Sequence, residues 1–189
     1  MTEITATIDQ MPAPLRRFIL QWGDLGGQWG VNRSIAQIQA LLYVSEQPMH
    51  AEQISDILGI ARSNVSNSLR ELQSLRMITR VPIAGDRRDH FAAETDVWEI
   101  CLRIAAIRKQ REIDPAIATL TLCLEESRAG ARISAEQHAR LERLLEFSRT
   151  MERWYTQMLK VPTGTLHRMV RMGDRVVSLL GLGGKRKAD

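Results

Sequence analysis

Cysteine, aromatic residues and long apolar runs are all scarce in this sequence. Its 189 residues include two cysteines, Cys101 and Cys123, and aromatic side chains make up 5% of it. Two thiols cannot form the disulfide framework of a small secreted protein, so we expect a cytoplasmic protein. No stretch approaches the roughly 18 apolar residues that a membrane-spanning helix requires. The first ten residues carry no basic side chain, unlike the start of a signal peptide.

Residue patterns typical of catalysis or metal binding are also lacking. The histidines have no ligand spacing, and the glycine-rich run at 181–185 lacks the spacing of a phosphate-binding loop. No nucleophile is placed beside a general base in the sequence pattern. The sequence therefore predicts no enzyme, no metal site and no cofactor. The four histidines are His50, His90, His138 and His167.

Positive charge is present, and it is unevenly distributed. The formal net charge is +4, yet residues 59–92 carry six arginines against three acids. Residues 165–189 carry six basic side chains against two acids. Basic clusters of this kind favour an anionic partner.

Apolar periodicity predicts a mostly helical chain with one β-hairpin. A helix runs to about Gly30, and a second covers roughly residues 34–45. Two short helices follow, with Gly59 as the stop between them. The β-branched run Met77–Ile83 and the segment His90–Ala93 then predict a two-stranded hairpin. Further helices are predicted to begin near Asp96, Asp114, Ser134 and Thr165.

This order of elements is typical of a winged helix-turn-helix. Two short helices are joined by a tight glycine-containing turn, and a hairpin follows at the offset of a wing. We therefore expect a mostly α fold, with a two-stranded β wing and a helical dimerisation region.

The second short helix carries side chains suited to the major groove of DNA. With Val65, Leu69 and Leu72 turned inward, the helical period places polar side chains outward. Asn can bond both edge groups of adenine, Arg can bond guanine O6 and N7, and Ser can bond phosphates or bases. The predicted DNA-contacting residues of this helix are Arg62, Ser63, Asn64, Ser66, Asn67 and Arg70.

The predicted hairpin tip adds a second candidate contact. Asp86, Arg87 and Arg88 lie at the turn and place two guanidinium groups where a wing meets the minor groove or adjacent phosphates. A polar helix face and an arginine-rich turn are each also typical of a solvated surface. Their combination at this offset favours nucleic acid.

Several runs of residues resemble a known family of regulators. The run ISDILGIARSNVS at 54–66 resembles the helix-turn-helix of the MarR family. Gly85-Asp86-Arg87-Arg88 resembles that family's wing, where an Asp steadies an Arg two residues on. Trp29-Gly30, AETDVW at 93–98 and RKQREI at 108–113 resemble the GbsR-like branch of the family.

The resemblance covers about residues 20–115 and implies a homodimeric repressor or activator held together by its first and last helices. For the GbsR-like branch it also implies an effector that is a quaternary ammonium, such as choline or glycine betaine. Two positions depart from the pattern. Ala61 replaces the Ser that usually caps the recognition helix, which leaves open whether that helix begins at Ser63. His50 replaces the Ser or Thr that caps the helix before it.

The glycine-rich first helix allows two interpretations. Trp22 and Trp29 lie seven residues apart with three glycines between them, although each interior glycine costs about 1 kcal/mol relative to alanine. Close helix packing in a dimer explains this composition. The alternative is an aromatic ligand pocket, formed together with Trp98 or with Trp154 and Tyr155, that holds a cation over its ring faces.

Two more apolar stripes are predicted to be covered. A seam along the helix over 135–160 is predicted to be a dimer or core face, and comprises Leu141, Leu144, Met151, Tyr155 and Met158. A stripe on the helix after Asp96 is predicted to be buried, and comprises Val97, Ile100, Cys101, Ile104 and Ile107.

The chain is thus expected to have three parts. Residues 1–33 form an N-terminal dimerisation helix, residues 34–94 bind DNA, and residues 95–189 form a helical dimerisation region with a basic tail. The predicted function is that of a dimeric repressor that reads a palindromic operator in double-stranded DNA and responds to a small ligand. The alternative is a protein-interaction module that reuses the winged fold without reading bases. The operator, the target genes, the ligand, the sign of regulation and any redox role of Cys101 or Cys123 stay open.

Overall fold

A computed structural model of the chain describes residues 7–130 and 132–179, with side chains to residue 173. It divides into two compact units, Met1–Arg103 and Ile104–Asp189. The fold is mostly helical with a small antiparallel sheet, as predicted for a winged helix protein. The basic residues at 185–187 and the predicted helix end at Leu180 lie outside the described residues.

The elements of the described part follow the predicted order. After a short 3-10 turn come four helices, a hairpin and four further helices. A π-helical turn at Lys109–Ile113 separates the first two of the helices that follow the hairpin. The bounds are α1 Ala13–Gln28, α2 Arg33–Val44, β1 Met49–His50, α3 Ala51–Leu58, α4 Arg62–Ser74, β2 Ile78–Val81, β3 His90–Ala93, α5 Val97–Arg108, α6 Asp114–Arg128, α7 Ala135–Met158 and α8 Thr163–Leu179.

Close packing of α1 on α2 accounts for glycines in the first helix. Gly23 and Gly26 are buried, and a Cβ added to Gly26 would lie 2.5 Å from the Cβ of Ala36. A Cβ at Gly23 would strike the side chain of Gln37. The close helix packing that we expected between two copies therefore occurs at these glycines within one chain, because only glycine lets the α1 backbone approach α2 so closely.

Substitution of these glycines provides a first test. Gly26→Ala forces α1 and α2 apart and is expected to lower the free energy of unfolding by about 1–3 kcal/mol. Gly27→Ala is the matched control, because a Cβ there meets nothing within 4 Å. Since alanine is the better helix former, the control should raise stability by up to about 1 kcal/mol. Urea denaturation of both variants checks this, and equal effects would contradict the close approach at Gly26.

The helix-turn-helix forms around the predicted apolar side chains. Ile54 and Ile57 of α3 are buried, as are Val65, Leu69 and Leu72 of α4. Gly59 ends α3 in the left-handed conformation with φ +64°, where a side chain would be strained.

Capping of the two helices differs from expectation at both unusual residues. His50 does cap α3: its Nδ1 accepts a hydrogen bond from the Gln53 amide at 3.3 Å, and the Gln53 side chain accepts one from the His50 amide at 3.0 Å. Ala61 provides no side-chain cap, yet α4 begins at Arg62 rather than at Ser63. Arg62 is therefore the first residue of α4.

The sheet has three strands rather than the two we predicted. Its order is β1-β3-β2, and β1 adds His50 opposite His90 and Met49 opposite Phe91. The rings of the two histidines meet edge to face, with their centroids 5.3 Å apart. A strand of two residues leaves no alternation in the sequence, which is why it was missed.

The stripe predicted on α5 is wrong in part. Asp96 caps the helix as expected, accepting hydrogen bonds from the amides of Trp98 at 2.8 Å and Glu99 at 3.3 Å. Ile100 is buried, but Val97 is 54% exposed and Cys101 is exposed. Periodicity shows which residues share a helix face, whereas their burial depends on an element that covers them.

The second unit is organised around the pairing of α6 and α7. Leu124 and Leu145 are buried. The Lys109 ammonium donates to Asp114 at 2.7 Å and pairs with Glu152 at 3.0 Å, which raises the pKa of Lys109. The predicted seam on α7 is divided, because Leu144 and Met151 are exposed whereas its other members are half-buried.

Candidate nucleic-acid interface

The outward face of α4 carries the side chains predicted to meet DNA. Val65, Ser68 and Leu69 are buried, and the remaining positions of the first two turns point to solvent. The exposed residues on this face are Arg62, Ser63, Asn64, Ser66, Asn67 and Arg70. Because the apolar residues of α4 face the core of the first unit, its polar side is exposed to solvent along the first two turns.

Three of these side chains are held by neighbours within the chain. The Asn64 amide donates to the Ser34 hydroxyl at the start of α2, at 3.0 Å. Arg70 donates to the Asn67 carbonyl oxygen at 3.2 Å, so the Asn67 amide nitrogen is the group left to face outward. Arg62 forms an ion pair with Glu52 of α3. Neither Ser34 nor Glu52 was predicted, because no sequence pattern signals a contact across 30 or 10 residues.

The wing tip is organised by Asp86. Its carboxylate accepts from the Arg88 amide at 2.9 Å and from the Arg88 guanidinium at 2.6 and 3.0 Å. These bonds hold the pKa of Asp86 well below its usual range, so the carboxylate stays ionised at any physiological pH. The steadying of an Arg by an Asp two residues before it, implied by the family resemblance, is present. Arg87 is exposed and forms no ion pair with any described residue.

A cleft of about 520 Å³ lies between α4 and the wing. Helix, wing and the start of α3 all contribute charged or polar groups to it. Among its lining residues are Glu52, Arg62, Ser66, Arg70, Arg88 and Asp89. Three arginines and two acids therefore line the cleft, so its positive charge is partly offset.

The three tryptophans predicted to form a ligand pocket line neither of the two cavities described here. Trp22 stacks near Phe18, with ring centroids 5.5 Å apart, and donates to Gln39 at 3.0 Å. Trp29 is 56% exposed at the end of α1, and Trp98 is half-buried on α5. The cleft beside α4 and a second cavity of about 390 Å³ beside Arg149 are lined by other residues.

One hydrogen-bonded row of residues was missed by the sequence reasoning. The Ser127 hydroxyl lies 2.7 Å from Nδ1 of His138, whose Nε2 lies 3.2 Å from the Glu142 carboxylate. Arg128 also binds Glu142, at 3.1 Å, and these contacts lower the pKa of Glu142. Our expectation of no nucleophile beside a base is therefore wrong as a statement of geometry. The row joins the end of α6 to the start of α7.

Comparisons with known proteins agree with the fold. A model of the MarR family matches residues 29–89, the segment that holds α2, α3, α4, β2 and the turn of the wing. A crystal structure of a transcriptional regulator is similar at a TM-score of 0.58 and 18% identity, over 77% of this chain and 95% of that one. A mutant of S. aureus MepR bound to an oligodeoxyribonucleotide aligns at a TM-score of 0.36 and 17% identity, over 73% of this chain and 89% of that one. No curated protein matches significantly, and nothing in the comparisons distinguishes the GbsR-like branch.

Proposed function

We propose that this chain is a sequence-specific DNA-binding regulator of transcription, similar in mode of action to the MarR family. One observation carries the proposal: Arg62, Ser66 and Arg70 of the exposed polar face of α4 line the same cleft as Arg88 of the wing. A helix in the major groove and a wing over the adjacent minor groove are separated by one phosphate strand, which such a cleft accommodates. The match of residues 29–89 to the MarR family supports the proposal independently.

Each group on this surface has a chemical task in the proposal. The outward amide nitrogen of Asn67 is a donor for a base edge, and Asn64 is held near the start of α4, where recognition helices read bases. Arg70 and Arg88 border the cleft and contact phosphate oxygens, while Arg87 extends from the wing tip. Base reading sets the choice of sequence, and the arginines supply affinity that depends on salt.

The proposal includes a homodimer that binds a palindromic operator as a repressor in the cytoplasm. A single short helix gives little affinity for a half-site, so two copies one helical turn apart are needed. The apolar side chains exposed on α7 provide a surface that a second copy would cover. Among the described residues, no helix is long and apolar enough to cross a membrane.

The proposal also includes a small effector, taken from the resemblance to the GbsR-like branch. Tryptophan faces attract quaternary ammonium groups, and Trp22, Trp29 and Trp98 are the candidate residues. In the proposed dimer, the distance between the two copies of α4 has a value that fits the operator and a value that does not. A ligand changes operator affinity if it binds the dimer more tightly at one of these distances than at the other. Titration with choline and glycine betaine, followed by tryptophan fluorescence and operator affinity, tests this; no change in either signal at millimolar ligand removes the effector from the proposal.

The experiment that tests the function is binding to genomic fragments and to random duplex over a range of salt. A DNA reader selects particular fragments and loses affinity steeply as salt rises. A protein-interaction module would show neither selection nor a steep slope. Selected fragments, read with their flanking genes, then identify the operator.

The wing provides a more specific prediction. Arg87→Ala is expected to weaken binding to operator and random DNA alike, and to lower the salt slope by about 0.9 for each phosphate that the variant no longer neutralises. Arg88→Ala should act in the same direction and also leave Asp86 without its main partner. Arg132→Ala is the control, because Arg132 is an exposed arginine of the second unit and the charge change is identical. Unchanged slopes in both wing variants would show that the hairpin does not meet DNA.

A further inference from the structure

An ion pair joins the first two helices of the DNA-binding motif at the edge of the cleft. The Arg62 guanidinium contacts the Glu52 carboxylate, and both residues line the cleft between α4 and the wing. The Arg62 side chain is 72% exposed and that of Glu52 is 44% exposed, so water and DNA can reach the pair. A carboxylate at a surface proposed to bind DNA repels phosphates and so weakens DNA binding in general. A specific role for Glu52 would account for its position there.

The local structure explains why the pair forms. Arg62 is the first residue of α4, and the preceding Ala61 provides no side-chain cap. A cation at a helix N-terminus is opposed by the helix dipole, and a nearby carboxylate offsets that opposition. Glu52 lies in the first turn of α3, where an acid is favoured and where the capping box of His50 and Gln53 fixes the backbone. The Glu52 carboxylate thus contacts the Arg62 guanidinium and restricts the directions open to that side chain.

Pairing changes what the arginine can do when DNA arrives. A free guanidinium on a flexible stem swings to the closest phosphate on any sequence and releases a counterion there. A guanidinium held from one side by a carboxylate retains N–H groups for a fixed second acceptor, such as guanine O6 or N7. Because the guanidinium is already oriented before DNA binds, the contact with the base edge costs less entropy. The same restraint keeps the guanidinium from reaching phosphates of random DNA.

We propose that Glu52 sets DNA specificity by holding Arg62 towards a base edge and away from the phosphates of random DNA. The inference rests on the proposed function and adds a positioning residue to it. Glu52 need not touch DNA, since it acts through Arg62.

Glu52→Gln tests the proposal, since the shape is kept while the charge is lost. Affinity for random duplex is expected to rise, and the salt slope on random DNA to steepen by about 0.9 for each phosphate that Arg62 newly binds. The ratio of operator to random affinity should fall by about fivefold or more, the size of one base discrimination. In an Arg62→Gln background the same Glu52 change should leave the ratio and the slope unaltered, because no arginine remains to be released.

Asp56→Asn is the matched control. Asp56 is exposed on the same helix and forms no ion pair with any described residue, so the net charge changes equally while Arg62 stays held. Asp56→Asn should change the operator-to-random ratio little.

The outcomes are distinguishable. If Glu52→Gln behaves like Asp56→Asn, the effect is one of net charge alone and the positioning role is wrong. If Glu52→Gln lowers the melting temperature and weakens all binding with an unchanged salt slope, Glu52 is only structural and the inference also fails. If the wild-type protein itself selects no DNA fragment, the proposed function fails before the inference is reached.

Discussion

Phe147→Glu is expected to convert the protein to monomers at micromolar concentration and to weaken operator binding by about 100-fold or more. Phe147 lies in a row of four large apolar side chains on α7 that are 38–63% exposed in the single chain. The row consists of Leu144, Phe147, Met151 and Trp154, spaced by three and four residues. Such a row forms one continuous stripe along a helix, and a second copy would bury it.

The large effect follows from the link between assembly and DNA affinity. In a dimer the second recognition helix is delivered to its half-site at a high effective concentration, and a monomer loses that advantage entirely. A glutamate at the centre of the stripe costs more than the removal of an apolar side chain, because its charge would have to be buried without a partner.

Light scattering and operator titration measure the two consequences of Phe147→Glu. Gln110→Glu is the control, because it places the same charge at an exposed position of the second unit outside α7. A wild-type mass of 21.4 kDa at these concentrations would show that the chain is a monomer and would remove the dimer from the proposal. A dimeric Phe147→Glu variant would place the interface elsewhere.

Asn67→Ala is expected to cost about 1–3 kcal/mol on the operator, a loss of roughly 5- to 150-fold, and almost nothing on random duplex. The Asn67 carbonyl oxygen is held by Arg70, so the amide has one orientation in which its nitrogen faces outward. An amide whose orientation is set before binding loses little entropy when it meets a base edge. The substitution removes that hydrogen bond to the base and also releases Arg70, which remains able to contact phosphate.

Fluorescence anisotropy with operator and random duplexes at one salt concentration separates base reading from backbone binding. Gln157→Ala, which removes an exposed amide in the second unit, should leave both affinities unchanged. Equal losses on the two duplexes in Asn67→Ala would mean that the helix face touches phosphates only. Selectivity would then have to come from another part of the surface.

Much of the helix-turn-helix and its wing was predictable because it depends on local rules. The inward positions of Val65, Leu69 and Leu72 follow from a period of 3.6 residues, and the exposed face follows from them. Gly59 marks the end of α3 for a local reason, since it adopts a left-handed conformation. The pairing of Asp86 with Arg88 is local as well, because two residues in a turn have few alternatives.

The failures have a different origin. Burial of α5 was overestimated at Val97 and Cys101, since an apolar stripe does not reveal whether anything covers it. Strand β1 was missed because its pairing partner lies 40 residues later in the chain. His50 stands where the family has Ser or Thr, yet its Nδ1 accepts the hydrogen bond that caps α3.

By itself, the sequence determined the helical periods, the turn at Gly59, the wing motif and the polar face of α4, because each depends on residues within a turn or two of one another. Only the tertiary structure decided which side chains restrain that face: Ser34 on Asn64, and Glu52 on Arg62. It also showed that Gly23 and Gly26 serve the packing of α1 on α2, and that the four side chains of the apolar stripe on α7 are exposed among the described residues. These contacts join residues that are distant in sequence, and their geometry is set by how helices pack rather than by the pattern along any one of them.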